Sequence, residues 1–296
     1  MLISSLDSIF RAERAFMISS DRERLRRITG RHNPLLKVLR RAFERGELTA
    51  EGYCAIEGVR VVEEAIRSGL RFQAVFFSES AANRAERLLP QIGVQVETLL
   101  IPDKLFAGVV PSETPQGEAA LVRVNAFDMD DVLGSSPGKQ PRTPPLVLVV
   151  AGLQDPGNLG TILRSAEAFG ATGVLLSEKT VSPYNSKAIR ASAGSIFRLP
   201  VARVASSEAV AALREEGIRL LATSSHDGTP LDQTHFSAPT AIFIGSEGAG
   251  LPREIVSAVD EVVAVPHSPR VESLNAAVAT SIVLYEAARQ RRKEGA

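Results

Sequence analysis

Three stretches of this sequence combine glycines, amides and isolated charges in spacings that suit ligand chemistry. The first, LQDPGNLGTILRSAEAFGA at 153–171, runs from an apolar segment through an Asp-Pro-Gly-Asn turn into a helical pattern. Gly157 and Gly160 permit close backbone approach, Asn158 is a natural helix cap, and Arg164 falls about two turns into the helix on an otherwise uncharged stretch. Taken alone, this is also an ordinary strand-turn-helix connection with an exposed arginine. The second, FIGSEGAGLP at 243–252, places Gly245, Gly248 and Gly250 after an apolar strand, which leaves backbone bare for a flat or phosphate-bearing ligand. No Lys-Ser or Lys-Thr follows, so it is not a phosphate loop; its spacing does not fit the dinucleotide fingerprint, and Pro252 starts the next helix. In the third, VPHSPRVESLNAAVA at 265–279, a strand stops at Pro266 and a loop holding His267, Pro269 and Arg270 enters the final helix. Glu272 or Ser273 is placed to cap that helix, but capping does not account for Asn275 on an otherwise apolar element.

All three stretches fall where strands end, which is where α/β domains bind ligands. The elements that must position them form two alternations. Asn33-Pro34 opens a helix with Leu35, Leu36, Val38, Leu39 and Phe43 on its apolar face. Strand 53–58, helix 59–68, strand 72–78, helix 80–89, strand 94–99, a short helix near 103–109 and strand 119–124 follow, predicting a small α/β domain with a largely parallel sheet. Residues 134–145, GSSPGKQPRTPP, lack apolar periodicity and read as a linker. Beyond it come strand 146–153, helix 157–169, strand 173–177, helix 185–193, strand 197–204, helix 207–216, strand 218–225, strand 241–248, strand 262–266 and a helix over 273–291. The resulting domains are an extension over 1–25, a first domain over 26–133, the linker, and a second domain over 146–296.

Composition narrows the class. Of 296 residues, 44% are hydrophobic and 23% charged, as in a soluble globular protein. No apolar run approaches the ~20 residues that span a bilayer, and the N-terminus lacks the apolar core and cleavage site of a signal peptide. Cys54, the one cysteine, has neither a disulfide partner nor companions for a zinc site, so it is read as a buried structural thiol and no metal is expected. A cytoplasmic location follows by default. The net charge is zero, yet Arg22, Arg24, Arg26, Arg27, Arg31, Lys37, Arg40, Arg41 and Arg45 are opposed in their stretch only by Glu23 and Glu44. This is either an electrostatic footprint for nucleic-acid phosphate or a solvated helix face.

Together, DPGNLGTILRSAEAFGA, IGSEGAGLP and VPHSPRVESLNAAVA resemble, in order and separation, the three signature motifs of the SpoU (TrmH-like) family of RNA ribose methyltransferases. The first domain, through HNPLLKVLRRA at 32–42 and AIEGVRVVEEAI at 55–66, resembles the family's ribosomal-protein-like substrate-binding module. The resemblance implies a trefoil-knotted, mostly parallel C-terminal α/β domain. It implies transfer of a methyl group from S-adenosylmethionine to a ribose 2′-hydroxyl of structured RNA, with ribosomal RNA favoured over transfer RNA. Carried over residue by residue, the cofactor contacts fall on Thr223, Ser224, Gly245, Glu247, Gly248, Val265, Ser273, Leu274 and Asn275. The catalytic set falls on Asn158, Arg164, Glu247, Ser273 and Asn275. RNA contact is assigned to Asn33, Lys37, Arg40, Arg41 and Arg164. His267 and Pro269 stand where the family usually has methionine and glycine, so the third motif must differ locally.

The resemblance further implies a homodimer through the second domain. The final helix agrees: Leu274, Val278, Ile282 and Tyr285 make one apolar stripe, and Ala276, Ala277, Val283 and Leu284 extend it beyond a single buried face. Two other classes are weighed. One is an RNA-binding protein with an inactive methyltransferase domain, against which the intact Asn158, Arg164, Glu247, Ser273 and Asn275 stand. The other is a nucleotide-dependent oxidoreductase, against which the missing G-x-G-x-x-G turn stands.

Overall fold

The computed structural model describes residues 24–135, 144–246 and 248–294. The N-terminal extension up to 23 with Arg22, linker residues 136–143, and Glu247 lie outside the described residues. The chain divides into two compact units, one ending at Val124 and one beginning at Asn125.

In the first unit, β1 (Leu25–Arg27) precedes α1 (Pro34–Arg45). Asn33 caps α1: its side-chain oxygen accepts the amides of Leu35 at 2.9 Å and Leu36 at 3.3 Å, and Pro34 supplies a φ already suited to the first turn. Then come β2 (Tyr53–Glu57), α2 (Val59–Arg67), β3 (Arg71–Ser78), α3 (Ala82–Leu88), β4 (Glu97–Ile101), α4 (Asp103–Ala107) and β5 (Glu118–Arg123). Leu36, Leu39 and Ala42 of α1 pack onto Ala74, Phe76, Leu99, Ile101 and Leu121 of the sheet. Strand order is β1-β4-β3-β5-β2. The β1–β4 and β3–β4 pairs are parallel, whereas β5 runs antiparallel to both β3 and β2. The sheet is therefore mixed rather than largely parallel: the chain returns after α4 and inserts β5 between two strands of opposite direction. The strand expected at 94–99 begins only at Glu97, because Gly93 to Val96 form a turn closed by the Val96 amide on the Gly93 carbonyl at 3.0 Å.

The second unit opens with α5 (Met129–Leu133), capped reciprocally by Asp128 and Asp131. Its Val132 and Leu133 are buried with Val147, Val149 and Leu175. A Cβ at Gly173 would stand 2.7 Å from the Val132 Cα, so this helix sits tight on the strand that Gly173 begins. The rest runs β6 (Leu146–Val150), α6 (Pro156–Ala168), β7 (Gly173–Leu176), α7 (Ser186–Ser192), β8 (Val201–Arg203), α8 (Ser206–Glu215), β9 (Arg219–Ser224), β10 (Thr229–Pro230), β11 (Thr240–Ile244), α9 (Arg253–Ala258), β12 (Glu261–Ala264) and α10 (Ala276–Glu294). The sheet order is β10-β12-β9-β11-β6-β7-β8, with every pair parallel. Strands β6 and β11 are buried along their whole length, as helices on both faces of a parallel sheet require.

The strands expected at 146–153 and 241–248 end earlier, at Val150 and Ile244, and two further boundaries differ from expectation. The stretch 197–204 is a strand only over β8; a 3-10 turn occupies Ser195–Phe197, and Pro200 has no amide to give to a ladder. The final helix starts at Ala276 rather than 273, which leaves Ser273 and Leu274 in the preceding loop. On α10, Ala277, Thr280, Val283, Leu284 and Ala287 are buried, while Val278, Ile282 and Tyr285 remain 49%, 37% and 51% exposed in the single chain. No described helix is long and apolar enough to cross a membrane.

Candidate functional site

A cavity of about 520 Å³ opens at the carboxyl ends of β9, β11 and β12. A volume of this size is in the range of small-molecule sites, roughly 300–1,000 Å³. Seven of the residues assigned to cofactor contact line it together: Thr223, Ser224, Gly245, Gly248, Val265, Ser273 and Leu274. Asn275 does not line it, and Glu247 lies outside the described residues. Asp227, Gly228, Ser246 and His267 also line the cavity, and the first turns of α10 contribute Ala279 and Thr280. In the sequence, Ser246 is marked only as the middle of a glycine run, and Asp227-Gly228 only as a turn dipeptide.

The glycines of the second motif have different jobs. A Cβ on Gly245 would stand 2.3 Å from the Gly250 carbonyl carbon. The loop doubles back there: the Ser246 amide donates to the Gly250 carbonyl at 3.2 Å and the Gly250 amide to the Ser246 carbonyl at 3.0 Å. Gly250 sits at φ +64, a left-handed position that favours glycine. Gly248, by contrast, has no atom within 4 Å of its would-be Cβ and leaves open space. In the third motif, His267 Nδ1 lies 2.8 Å from the Val265 carbonyl, which fixes the ring at the cavity rim and makes Nδ1 the protonated nitrogen of the neutral ring. Pro269 lies in the irregular loop that follows.

The first motif meets the third through a pair of amides. Asn275 Nδ2 donates to Asn158 Oδ1 at 3.0 Å. Asn275 Oδ1 accepts the Ala277 amide at 3.0 Å and the Val278 amide at 3.2 Å, so Asn275, not Glu272 or Ser273, caps α10. The cap of α6 is likewise Asp155 rather than Asn158: Asp155 Oδ1 accepts the Asn158 amide at 2.7 Å, with Pro156 at the first helical position. The Lys187 ammonium donates to Asp155 Oδ2 at 2.9 Å, and together with the Asn158 amide holds the Asp155 carboxyl below the usual carboxylate range. Farther along, the Ser165 and Ser281 hydroxyls meet at 2.7 Å and tie α6 to α10. The close approach at Gly160 serves packing, since a Cβ there would stand 2.3 Å from the Ala188 carbonyl of α7. Arg164 is exposed on α6, outside the cavity lining, and has no hydrogen-bond or ion-pair partner among the described residues. Six residues of helix place it about 9 Å along the axis from Asn158.

Sequence reasoning missed Asp155 and Lys187. The first stands inside the first motif, where Asn158 reads as the cap; the second lies on a helix with no pattern to distinguish it. Among the described residues, no group of three or more His, Cys, Asp or Glu is placed to hold a metal.

The basic stretch of the first unit splits in two. Arg26 pairs with Glu97 at 3.0 Å, Arg27 with Glu79, and Arg24 donates to the carbonyls of Leu89, Ile92 and Gly93. These arginines fasten the edge strand. Lys37 and Arg41, one turn apart, and Arg45 stand exposed on α1. Arg40 is half-buried, with a buried Nε that has no hydrogen-bond partner among the described residues, and the Asn33 side chain is committed to its cap.

Comparison with known proteins agrees with this geometry. The SpoU rRNA Methylase family matches residues 145–285, and the MRM3-like substrate binding domain matches residues 19–120. A Synechocystis sp. protein described as an uncharacterized tRNA/rRNA methyltransferase is 34% identical over 269 residues, 89% of this chain and 94% of the relative. The 23S rRNA (guanosine(2553)-2′-O)-methyltransferase of Bacillus subtilis is 29% identical, over 88% of this chain and 98% of its own. Among solved structures, the SpoU methyltransferase AviRb from Streptomyces viridochromogenes in complex with the cofactor AdoMet superposes with a TM-score of 0.76 at 30% identity, covering 88% of this chain and 99% of that one. With an all-parallel second unit, a cavity lined by the second and third motifs and tied to the first through Asn158, and relatives matched nearly end to end, this chain belongs to the SpoU family of RNA methyltransferases.

Proposed function

We propose that the chain transfers a methyl group from S-adenosylmethionine to a ribose 2′-hydroxyl of structured ribosomal RNA. One observation carries the reading: three segments far apart in sequence converge, with the bare backbone around Gly245 and Gly248 and the loop at Ser273–Leu274 on one cavity, joined through Asn275 and Asn158 to the helix bearing Arg164. The named activity of the Bacillus subtilis relative supports the ribose site and ribosomal RNA, and the AdoMet complex of AviRb supports the cofactor.

The cavity suits that cofactor. Gly248 leaves backbone uncovered, and the hydroxyl-bearing Ser224, Ser225, Ser246 and Ser273 offer polar contacts beside apolar Val265 and Leu274. When bound, the cofactor supplies a sulfonium-activated methyl group, so the protein needs only to position the nucleophile and ease its deprotonation. Asn158 and Asn275 hold each other's amides in fixed orientation. A guanidinium is a delocalised cation and a poor proton acceptor, so Arg164 orients the 2′-hydroxyl and a neighbouring phosphate rather than accepting the proton. Glu247 keeps its assignment to the cofactor contacts on the motif alone. Lys37, Arg40 and Arg41 are assigned to RNA phosphate.

The same reading carries a trefoil-knotted C-terminus, supported by the β12-β9-β11 strand order and the packing of α10 on α6. It also carries a homodimer through the second unit and a cytoplasmic location. The test is purified protein with labelled S-adenosylmethionine and ribosomal RNA, followed by mass mapping of 2′-O-methyl sites in cells with and without the gene. Label on a ribose oxygen at a site that loses its methyl in the deletion strain is expected. Label on a base, or cofactor binding without any transfer, overturns the reading; the latter favours an RNA-binding protein with an inactive domain.

A further inference from the structure

On the reading above, we infer that Asp155 and Lys187 are a positioning pair that sets the Asn158–Asn275 contact and, through it, the turnover of methyl transfer. The chain of bonds is continuous. The Lys187 ammonium donates to Asp155 Oδ2 at 2.9 Å, the Asn158 amide donates to Asp155 Oδ1 at 2.7 Å, and Asn275 Nδ2 donates to Asn158 Oδ1 at 3.0 Å. Both carboxylate oxygens of Asp155 are thus used, one by its own helix and one by α7. Asn275 uses its other side-chain atom to cap α10, directly after the cavity-lining Ser273 and Leu274. The first turn of α6 is therefore held from both sides, by the first turn of α7 and by the cap of α10.

Gly157 shows that the path is built for this pair. A Cβ there would stand 2.9 Å from Asp155 Oδ1 and 3.1 Å from Lys187 Cε, so any larger residue would make the ends of both side chains shift from their present contact. An ordinary surface ion pair does not explain the arrangement. The Lys187 side chain is 59% exposed and that of Asp155 43%, and pairs so open contribute little to stability. A charge-assisted bond that adds little stability still fixes direction. The direction it fixes is that of the carboxylate on which the Asn158 amide hangs.

The experiment uses the full chain and measures kcat, KM for RNA, cofactor Kd by calorimetry, and Tm. Lys187→Met is expected to lower kcat about fivefold to tenfold, with cofactor Kd within about twofold and Tm nearly unchanged. Lys187→Arg, which keeps the charge and a donor, is expected to recover at least about half of the native turnover. Asp155→Asn keeps an oxygen for the Asn158 amide and loses the charge; it is expected to lower kcat in the same way. The discriminating measurement is Lys187→Met in an Asn158→Ala background. Acting through Asn158, it should add no further loss there. The inference is overturned if Lys187→Met leaves kcat within about twofold of native. It is equally overturned if the loss is as large in the Asn158→Ala background, or if it appears in KM for RNA with kcat unchanged, which would make Lys187 a direct RNA contact. Native chain that transfers no methyl group takes the functional reading down with the inference; active native chain with indifferent variants removes the pair alone.

Discussion

Arg164 stands exposed on α6 with no partner among the described residues, which leaves its guanidinium free for substrate to complete. Removing a group that stabilises developing charge typically costs about 10²–10³ in turnover. Arg164→Ala should show a loss of that size, with cofactor Kd and Tm unchanged, and Arg164→Lys should recover little because a planar fork becomes a point charge. Near-native turnover of the alanine variant would take Arg164 out of the mechanism. Glu118, at the start of β5, is the opposite case: a charge the fold encloses. Its side chain is fully buried, Arg84 Nε lies 3.0 Å from Oε1, and among the described residues neither oxygen has a well-formed hydrogen bond. Burial pushes this carboxyl above the usual range, and Arg84 opposes the shift only in part. A carboxyl raised in the folded state costs stability as pH climbs from its unfolded to its folded pKa, and the cost is complete above both. Glu118→Gln should therefore raise Tm at pH near 8, and that advantage should shrink as pH falls below the raised value. A Tm difference that is flat with pH, or grows on acidification, would contradict the assignment.

At the scale of elements, two glycines of the motifs predict opposite outcomes. Gly160→Ala drives a methyl group against the Ala188 carbonyl and the Ala191 Cβ of α7, 2.3 and 2.6 Å away, and should destabilise by about 1–3 kcal/mol. Gly248→Ala meets nothing and should leave Tm alone while weakening cofactor binding, as calorimetry beside thermal melts would read. On α1, neutralising Lys37, Arg41 and Arg45 together should lower RNA affinity and flatten its salt dependence. The log–log slope should fall by about 0.7–0.9 for each phosphate that is no longer neutralised. An unaltered slope would return that face to a solvated surface. The sequence disclosed such elements unequally. Strands β6 and β11 were legible because burial on both faces writes them as apolar runs. The N-terminus of α1 was legible from Asn33-Pro34, and the same rule applied to Asp155-Pro156 would have found the α6 cap that Asn158 was given instead. Strand direction leaves no periodic trace, so β5 running against β3 was not legible. Nor was β1, a polar edge strand of three residues. The second and third motifs named the cavity wall well because each lies at a strand end, whereas the first lies beside it, joined through Asn158. Lys187 stayed hidden because its partner is 32 positions away.

For the whole molecule, the remaining question is what covers α10. Its inner face is fully buried within the second unit, yet Val278, Ile282 and Tyr285 recur on the outer face, and the Tyr285 ring meets Phe169 edge-on at 5.9 Å just past α6. An apolar stripe continuous with the end of the helix that carries Arg164 fits a symmetric contact in which the same patch meets itself. Such a contact would also bring to the cavity groups that a single chain leaves outside it, Arg164 among them. The proposed dimer can be tested on the second unit alone, provided the cut respects the fold. A chain beginning at Pro144 lacks α5 and with it the buried Val132 and Leu133, each worth about 1.5–3 kcal/mol of apolar burial. A chain beginning at Asn125 keeps them and should melt higher than the shorter one. By sedimentation, both the native chain and the chain from Asn125 are expected to be dimers. Ile282→Arg should be monomeric, with its cofactor affinity retained and its methyl transfer lost. If the chain from Asn125 is folded, soluble and monomeric at micromolar concentration, the second unit is not the dimerisation unit and the outer face of α10 needs another partner.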